Sequence, residues 1–426
     1  MTNVEQSYSR SGLMMRWAIL AFALFLMGTN SFVIAGVLPQ IAHDLQVRTT
    51  DIGFTITAYA LVVAVLAPAA AVTLAHLSRT TLMVAGLAAF LVGVVIAGIA
   101  PDYAIFAIGR VVAAVGGAAL VPTATAAAAA ITSPERRGQA IAVVGIGFTL
   151  ASAVGAPLGT ALSAVIGWRA AMLIVAALAA LTMPLLAFGV RRVPLGAPIS
   201  LARRFAVLRD GRILLPLLTT LFIAAGFNLL YIFSSAVTGY TGTALAALLL
   251  VYGVFGIVGN TISGPLTDRF GSRRIGIAFM VVETLALAAV ALVGHSFVGL
   301  VIAFVVWGLS AFGSVIPVQH RLLAVDSRTA SVAISWFSTA LYLGIAIAPL
   351  AGAASLSAGD TALIPVFGAV ATLVGLVAFV AGYALRGRRQ SAAEETAAVE
   401  LAEEAEPPGQ GAAQRETPQE AATLGS

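Results

Sequence analysis

Two charged side chains sit deep inside apolar stretches of this sequence, Arg110 and Glu283. A charge in hydrocarbon is expensive, so a residue that keeps one there is first of all a site candidate. Arg110 lies about seven residues into its apolar run, roughly 10 Å below the outer surface at ~1.5 Å per residue. Asn30 lies about 14 residues into an earlier run that crosses the other way, which brings it to a similar depth. Arg110 can be satisfied by Asn30, by helix carbonyls or by water. Left partly unpaired, it attracts an anionic substrate group. We read it as functional. Glu283 stays open between a proton-coupling carboxyl and a neutral one hydrogen-bonded to a neighbouring helix. Tyr59, Asn228, Tyr231, Asn260, Trp307, Trp336 and Tyr342 are further candidates for lining a cavity. Asn228 leads them, because an amide in mid-helix needs a partner. Taken singly, each aromatic is more readily a packing or interface residue, and so is His320.

Much chemistry is excluded. There is no cysteine, which removes disulfides, thiolate catalysis and cysteine metal sites. There is no lysine either, so a phosphate-cradling loop that depends on one is absent, and direct ATP drive with it. His43, His76, His295 and His320 are scattered, and no Gly-x-Ser-x-Gly or His-Glu-x-x-His occurs. The expectation is no enzyme, no metal and no cofactor.

Two short patterns carry mechanical meaning. In the segment 264–274 (GPLTDRFGSRR), Asp268 lies between two apolar runs beside Arg269, Arg273 and Arg274. Its carboxylate can meet a helix dipole and the neighbouring guanidinium groups, while Gly271 permits the tight turn. Such a cluster can form in one conformation and break in another, which makes it a gate latch. The equivalent earlier loop keeps Ala75, His76, Ser78 and Arg79 but lacks the acid and the glycine. The second pattern is Gly147, Gly155, Pro157 and Gly159. Glycines four apart let helix backbones approach closely, and the proline removes a hydrogen bond and can bend the helix. A hinge and plain helix packing explain it equally well.

The elements that must position these residues are membrane spans. The chain of 426 residues is 60% hydrophobic and 10% charged, too few charges to cover a water-soluble surface. Apolar runs long enough to span fall near 16–38, 52–75, 80–99, 103–128, 138–161 and 168–190. The others fall near 213–238, 244–266, 274–293, 297–319, 330–355 and 361–385. Turn signals separate them, at Pro101-Asp102, Ser133-Pro134-Glu135, Gly167-Trp168-Arg169 and Ser357-Ala358-Gly359-Asp360. The first run is too long for a cleaved signal peptide. With both termini in the cytoplasm, every loop or tail arginine except Arg48 and Arg169 falls on the cytoplasmic side, as the positive-inside rule requires.

Residues 1–15 are a cytoplasmic N-terminal segment, 16–190 a first six-helix half, 191–212 an arginine- and proline-rich linker with a short interfacial helix near 199–209, and 213–385 a second half. Ala58-Tyr59-Ala60 corresponds to Val251-Tyr252-Gly253, and the patch at Gly155 and Pro157 to Ala348-Pro349, so the halves form a weak repeat. Residues 386–426 are acidic and poor in apolar groups, expected to be disordered or loosely helical.

At this point the sequence resembles the major facilitator superfamily, in its drug/proton antiporter branch, near the arabinose-efflux and chloramphenicol-resistance exporters. The run 28–39 (GTNSFVIAGVLP) is similar to that group's first helix. The 264–274 segment matches the superfamily's loop motif. Arg110 with Gly116 and Gly117 matches the fourth-helix motif, and Gly147, Gly155, Pro157 and Gly159 match most of the fifth-helix antiporter motif. The resemblance covers 15–385. It implies an all-α membrane protein of twelve transmembrane helices in two pseudo-symmetric halves, in a bacterial inner membrane. It also implies a substrate cavity between the halves, lined by the seventh span, with the ninth span peripheral to it. The implied activity is export of small organic molecules by alternating access, coupled to protons, by a monomer. The net charge of +5 is no nucleic-acid signal, because the arginines sit in short loops between apolar runs. One departure stands out. Those exporters commonly carry an acid after the Gly-Thr of span one, and here Asn30 and Ser31 occupy those positions. That departure supports a proton-independent facilitator or anion exchanger as the alternative. A membrane-embedded enzyme or sensor is the remaining class.

Overall fold

An apolar run in lipid has no water to satisfy its backbone, so it closes its own hydrogen bonds as helix. The computed structural model describes residues 10–74, 76–133, 136–191, 193, 201–294, 296–325 and 330–405, save the side chains at 10, 71–72, 201–203, 330–331 and 385–405. Ala75, Pro134, Glu135, Arg192, His295 and Arg328, used in the sequence arguments, lie outside the described residues. Among the described residues, twelve long helices result. They are α1 Arg10–Asp44, α2 Thr49–Thr73, α3 Arg79–Gly98, α4 Tyr103–Ala130, α5 Arg137–Ile166, α6 Trp168–Gly189, α7 Gly211–Ile232, α8 Gly242–Phe270, α9 Ser272–Val293, α10 Phe297–Leu323, α11 Ala330–Ser357 and α12 Leu363–Ala405. Each expected span coincides with one of them, and no strand occurs among the described residues.

Local chemistry sets the ends. Ser78, Asp102 and Asp210 accept hydrogen bonds from the backbone N–H groups of Thr81, Ile105 and Arg212, capping α3, α4 and α7. Gly167 and Gly271 take positive φ at the joins of α5 to α6 and α8 to α9. Two boundaries differ from the sequence expectation. The seventh span stops at Ile232, and the stretch expected to carry it to 238 is a separate short helix, Ser234–Thr238. Phe233 makes the break, and its ring seats against Gly53 of α2 and Gly352 of α11. The linker forms a short helix, Leu201–Ala206, followed by a tight turn, Val207–Arg209. The Trp336 indole donates to the Arg204 carbonyl at 3.0 Å, and its ring packs on Phe205. Trp336 is therefore a clamp on the linker, not a cavity residue.

Residues up to Gly382 form one compact unit, so the two halves pack against each other. A second unit begins at Tyr383 and is helical to Ala405, where disorder or a loose helix was expected. Alanine and glutamate, the main residues there, are strong helix formers. Residues 406–426 lie outside the described residues.

Contact between the halves is concentrated away from the arginine-rich face. The Thr57 hydroxyl of α2 donates to the Ala346 carbonyl of α11 at 2.8 Å. A Cβ built on Gly253 of α8 would strike the Ala153 backbone of α5. Helix α8 packs along 151–166 of α5 but scarcely touches 137–150. Toward the arginine-rich face the small residues Gly138, Gly145 and Gly264 meet nothing within 4 Å. The halves thus close at one face and splay at the other.

The fifth-helix motif packs closely and also carries a local irregularity. Gly147, Gly155 and Gly159 bring α5 so close to α1 that a side chain would strike Ala21, Thr29 and Val33. Between them, Ala151–Gly155 forms a wider π turn, in which the Ala156 N–H reaches back to the Ala151 carbonyl. Pro157 follows that turn one residue on, after Ala156. A proline ring clashes with the carbonyl four residues back, and a π turn relieves the clash by widening the ladder. The turn bears Ala153, the residue that Gly253 meets across the halves.

Candidate substrate cavity between the halves

At mid-depth, where the closed and splayed regions meet, the halves enclose a small cavity of about 20 Å³, room for roughly one water. Helix α1 contributes Ser31 and Phe32, α2 contributes Tyr59, α4 contributes Arg110 and α5 contributes Phe148. The second half contributes Asn228 and Tyr231 from α7 and Tyr342 from α11. The walls are almost entirely apolar, and no acidic residue is among the lining residues. Phe32 packs edge-on against both Phe148 and Tyr231, at ring centroid distances of 5.3 and 5.6 Å.

Arg110 dominates the chemistry. It is 1% exposed. Its Nη1 donates to the Asn30 backbone carbonyl at 3.3 Å, and its guanidinium lies 4.5 Å from the centre of the Tyr59 ring. Its Nε and Nη2 have no hydrogen-bond partner, and it joins none of the ion pairs among the described residues. The expected Asn30–Arg110 pairing therefore occurs, but through the backbone. The Asn30 side-chain amide is buried with both polar atoms unpartnered. The Tyr231 hydroxyl is likewise buried without a partner. Asn228 lines the cavity as expected, its amide donating to the Ala224 carbonyl of its own helix at 2.8 Å.

Glu283 lies elsewhere. It does not line the cavity and does not face lipid; it is wholly buried inside the second half. The buried stripe of α9 (Gly276, Phe279, Met280, Glu283, Ala286) repeats that of α3 (Met83, Gly86, Leu87, Phe90, Gly93) at one constant offset, so Glu283 takes the place of Phe90. Neither carboxyl oxygen makes a hydrogen bond. The neighbouring Ser314 hydroxyl donates instead to the Ala311 carbonyl at 2.8 Å. Ser314 of α10 is the hydroxyl nearest to hand for the hydrogen bond expected of Glu283. Tyr252 lies between Glu283 and the cavity, with its ring 5.5 Å from Tyr231 and 4.0 Å from Trp307. Trp307 packs on Tyr252 much as Arg110 packs on Tyr59, one arrangement aromatic and the other cationic. Asn260 and Trp307 stay outside the lining.

The latch residues gather at the turn after α8, with Gly271 at φ 84°. Asp268 is exposed, forms no ion pair among the described residues, and no side chain caps α9. Phe32 and Phe148 escaped the sequence reading, although both stand inside its motifs, beside Ser31 and Gly147.

Comparison with known proteins agrees with this architecture. The family model described as Major Facilitator Superfamily matches residues 20–349 and 239–413. The inner membrane transport protein YdhP of Escherichia coli (strain K12) is 32% identical over 363 residues, covering 84% of this chain and 93% of that protein. The uncharacterized MFS-type transporter YbcL of Bacillus subtilis (strain 168) is 28% identical over 364 residues, with the same coverage of 84% and 93%. Among solved structures, the nucleoside transporter NupG superposes with a TM-score of 0.70 at 14% identity, covering 87% of this chain and 100% of that one. A bacterial homologue of the lysosomal transporter Spinster gives 0.66 at 18% identity, covering 88% and 96%.

Proposed function

This chain belongs to the major facilitator superfamily and is a multi-pass membrane transporter, and we propose that it exports small organic molecules by alternating access, in exchange for protons. The observation that carries this reading is the closure of two six-helix halves at one face only, over a buried, largely apolar cavity that holds Arg110. In this reading both termini lie in the cytoplasm of a bacterial cell and the protein sits in the inner membrane. The splayed, arginine-rich face then opens inward and awaits substrate. Closing it would bring Asp268, Arg269, Arg273 and Arg274 against the first half and form the latch, while the α2–α11 and α5–α8 contacts release. The transport unit is a single chain, and efflux of drugs, sugars or metabolites fits the drug/proton antiporter motifs.

Glu283 is our candidate proton carrier. It is a buried carboxyl with no fixed partner, one aromatic layer from the cavity through Tyr252 and Tyr231. Glu283→Gln is expected to leave the fold intact and to abolish substrate-driven proton movement. Acridine-orange dequenching in proteoliposomes with an acidified lumen measures this, with chloramphenicol, L-arabinose and benzoate as trial substrates. Dequenching equal to wild type in the variant would remove Glu283 from the coupling path. A specific observation favours a second reading: no carboxyl lines the cavity beside Arg110. Substrate flux that persists after the pH gradient is collapsed would establish this facilitator or anion exchanger instead.

A further inference from the structure

We propose that the central cavity is a receptor for the carboxylate of an amphipathic organic acid, with Arg110 and Tyr231 as its two anchors. This inference rests on the reading of the cavity as the transport site and adds the class of substrate. A guanidinium that is 1% exposed has lost nearly all its hydration. Burial of an unpaired charge costs several kcal/mol, so such groups in folded proteins are normally paired with a carboxylate. None of the described residues supplies that carboxylate. What Arg110 has instead is one 3.3 Å hydrogen bond to a backbone carbonyl and the face of Tyr59, with Nε and Nη2 left free. Nε and one Nη form the edge that binds a carboxylate in the two-pronged manner. The missing acid is therefore to be brought by the ligand.

Tyr231 supports this from the other half. Its hydroxyl is buried, unpartnered and on the wall of the same cavity. Asn228 adds an amide one helical turn away on α7. The unpartnered groups on the cavity wall, the Arg110 N–H groups and the Tyr231 hydroxyl, can all donate, and they belong to both halves of the protein. An anion held between Arg110 of α4 and Tyr231 of α7 would tie the halves together at their contact. That is how a bound substrate biases which conformation prevails. The remaining lining selects the rest of the molecule. Phe32, Phe148, Ile56 and Ile345 are apolar, so the acid carries an aromatic or aliphatic body rather than a sugar or a second charge. About 20 Å³ holds only about one water in this conformation, so the cavity widens to take the headgroup, with the body toward the splayed face.

The full chain in lipid nanodiscs tests this. Benzoate, phenylacetate and decanoate are titrated by calorimetry, each beside its neutral primary amide. At least one acid is expected to bind and its amide to bind more weakly by about a hundredfold, the scale of a lost buried charge-assisted pair. Tyr231→Phe, which removes one oxygen, is expected to weaken the acid by about tenfold, and Arg110→Gln to abolish its binding. Amides equal to acids, acid binding that survives Arg110→Gln, or no binding by any of the three acids would overturn the proposal. If Arg110→Gln fails to fold, the acid–amide comparison on wild type and Tyr231→Phe still decide. A chain whose two faces open reciprocally yet binds no acid keeps the transport reading and loses this one.

Discussion

Arg110→Met is expected to make the protein more heat-stable and at the same time nearly inactive. Methionine fills a similar volume against Tyr59 without a charge to desolvate. Replacing buried charged groups with apolar ones of similar size is often stabilising, by ~1–4 kcal/mol. Here the arginine has only one hydrogen bond, at 3.3 Å, and the Tyr59 ring to offset its burial. The melting temperature of purified protein in detergent should therefore rise by a few degrees, at about 2–4 °C per kcal/mol for a chain of some 200 residues and less for a longer one. Transport in proteoliposomes should fall by about a hundredfold or more, because a group held at such expense is held for the ligand. A melting temperature that drops by several degrees would mark Arg110 as a structural residue whose contacts hold α1, α2 and α4 together.

The second large effect is conformational. Gly253→Leu is expected to push the protein out of the state closed away from the arginine-rich face. Its Cβ would overlap the Ala153 backbone in the π turn of α5, and backbone cannot rotate aside as the end of a long side chain can. The two helices belong to different halves, so rocking the halves apart relieves the clash. Overpacking typically costs ~1–3 kcal/mol, which shifts a two-state ratio by roughly 5- to 150-fold. The native chain has no cysteine, so Ser31→Cys reports alone. Labelling of that thiol in the cavity wall by an impermeant maleimide from the far face should rise sharply in Gly253→Leu. Gly264→Leu, at a position that meets nothing within 4 Å, is the matched control and should leave labelling unchanged. If Gly253→Leu lowers stability without altering far-face labelling, the α5–α8 contact is packing rather than gate.

Much of this was legible in the sequence, for reasons that also explain what was not. The twelve spans followed from hydrocarbon thickness and the backbone's need for internal hydrogen bonds. Arg110 stood out because charge is rare in lipid, and the structure brings it to the cavity with Tyr59, Asn228, Tyr231 and Tyr342. The glycine pattern of α5 was visible, yet only coordinates show that Pro157 is accommodated by a π turn which also bears the contact to Gly253. The direction of Glu283 was hidden. A soluble helix advertises its inner face by contrast with a polar outer one, but α9 is apolar toward lipid and core alike. Trp336 was read more readily as a packing or interface residue than as a cavity one, and it packs on the linker, a docking that sequence alone does not reveal. The Asn30–Arg110 contact could be guessed by depth, but its use of the backbone carbonyl could not, because it depends on the angle between α1 and α4.

Alternating access requires two halves that open reciprocally around the cavity. The most direct test is a pair of spin-label distance measurements in nanodiscs. One pair joins Arg48→Cys to Ser357→Cys, at the face now closed, where both positions are exposed and border the same groove. The other joins Gly138→Cys to Gly264→Cys, toward the arginine-rich face. Each pair is expected to show two distance populations, and Gly253→Leu should lengthen the first pair's average while shortening the second's. Distances that stay single-valued, or that lengthen and shorten together at both faces, would contradict alternating access in this protein.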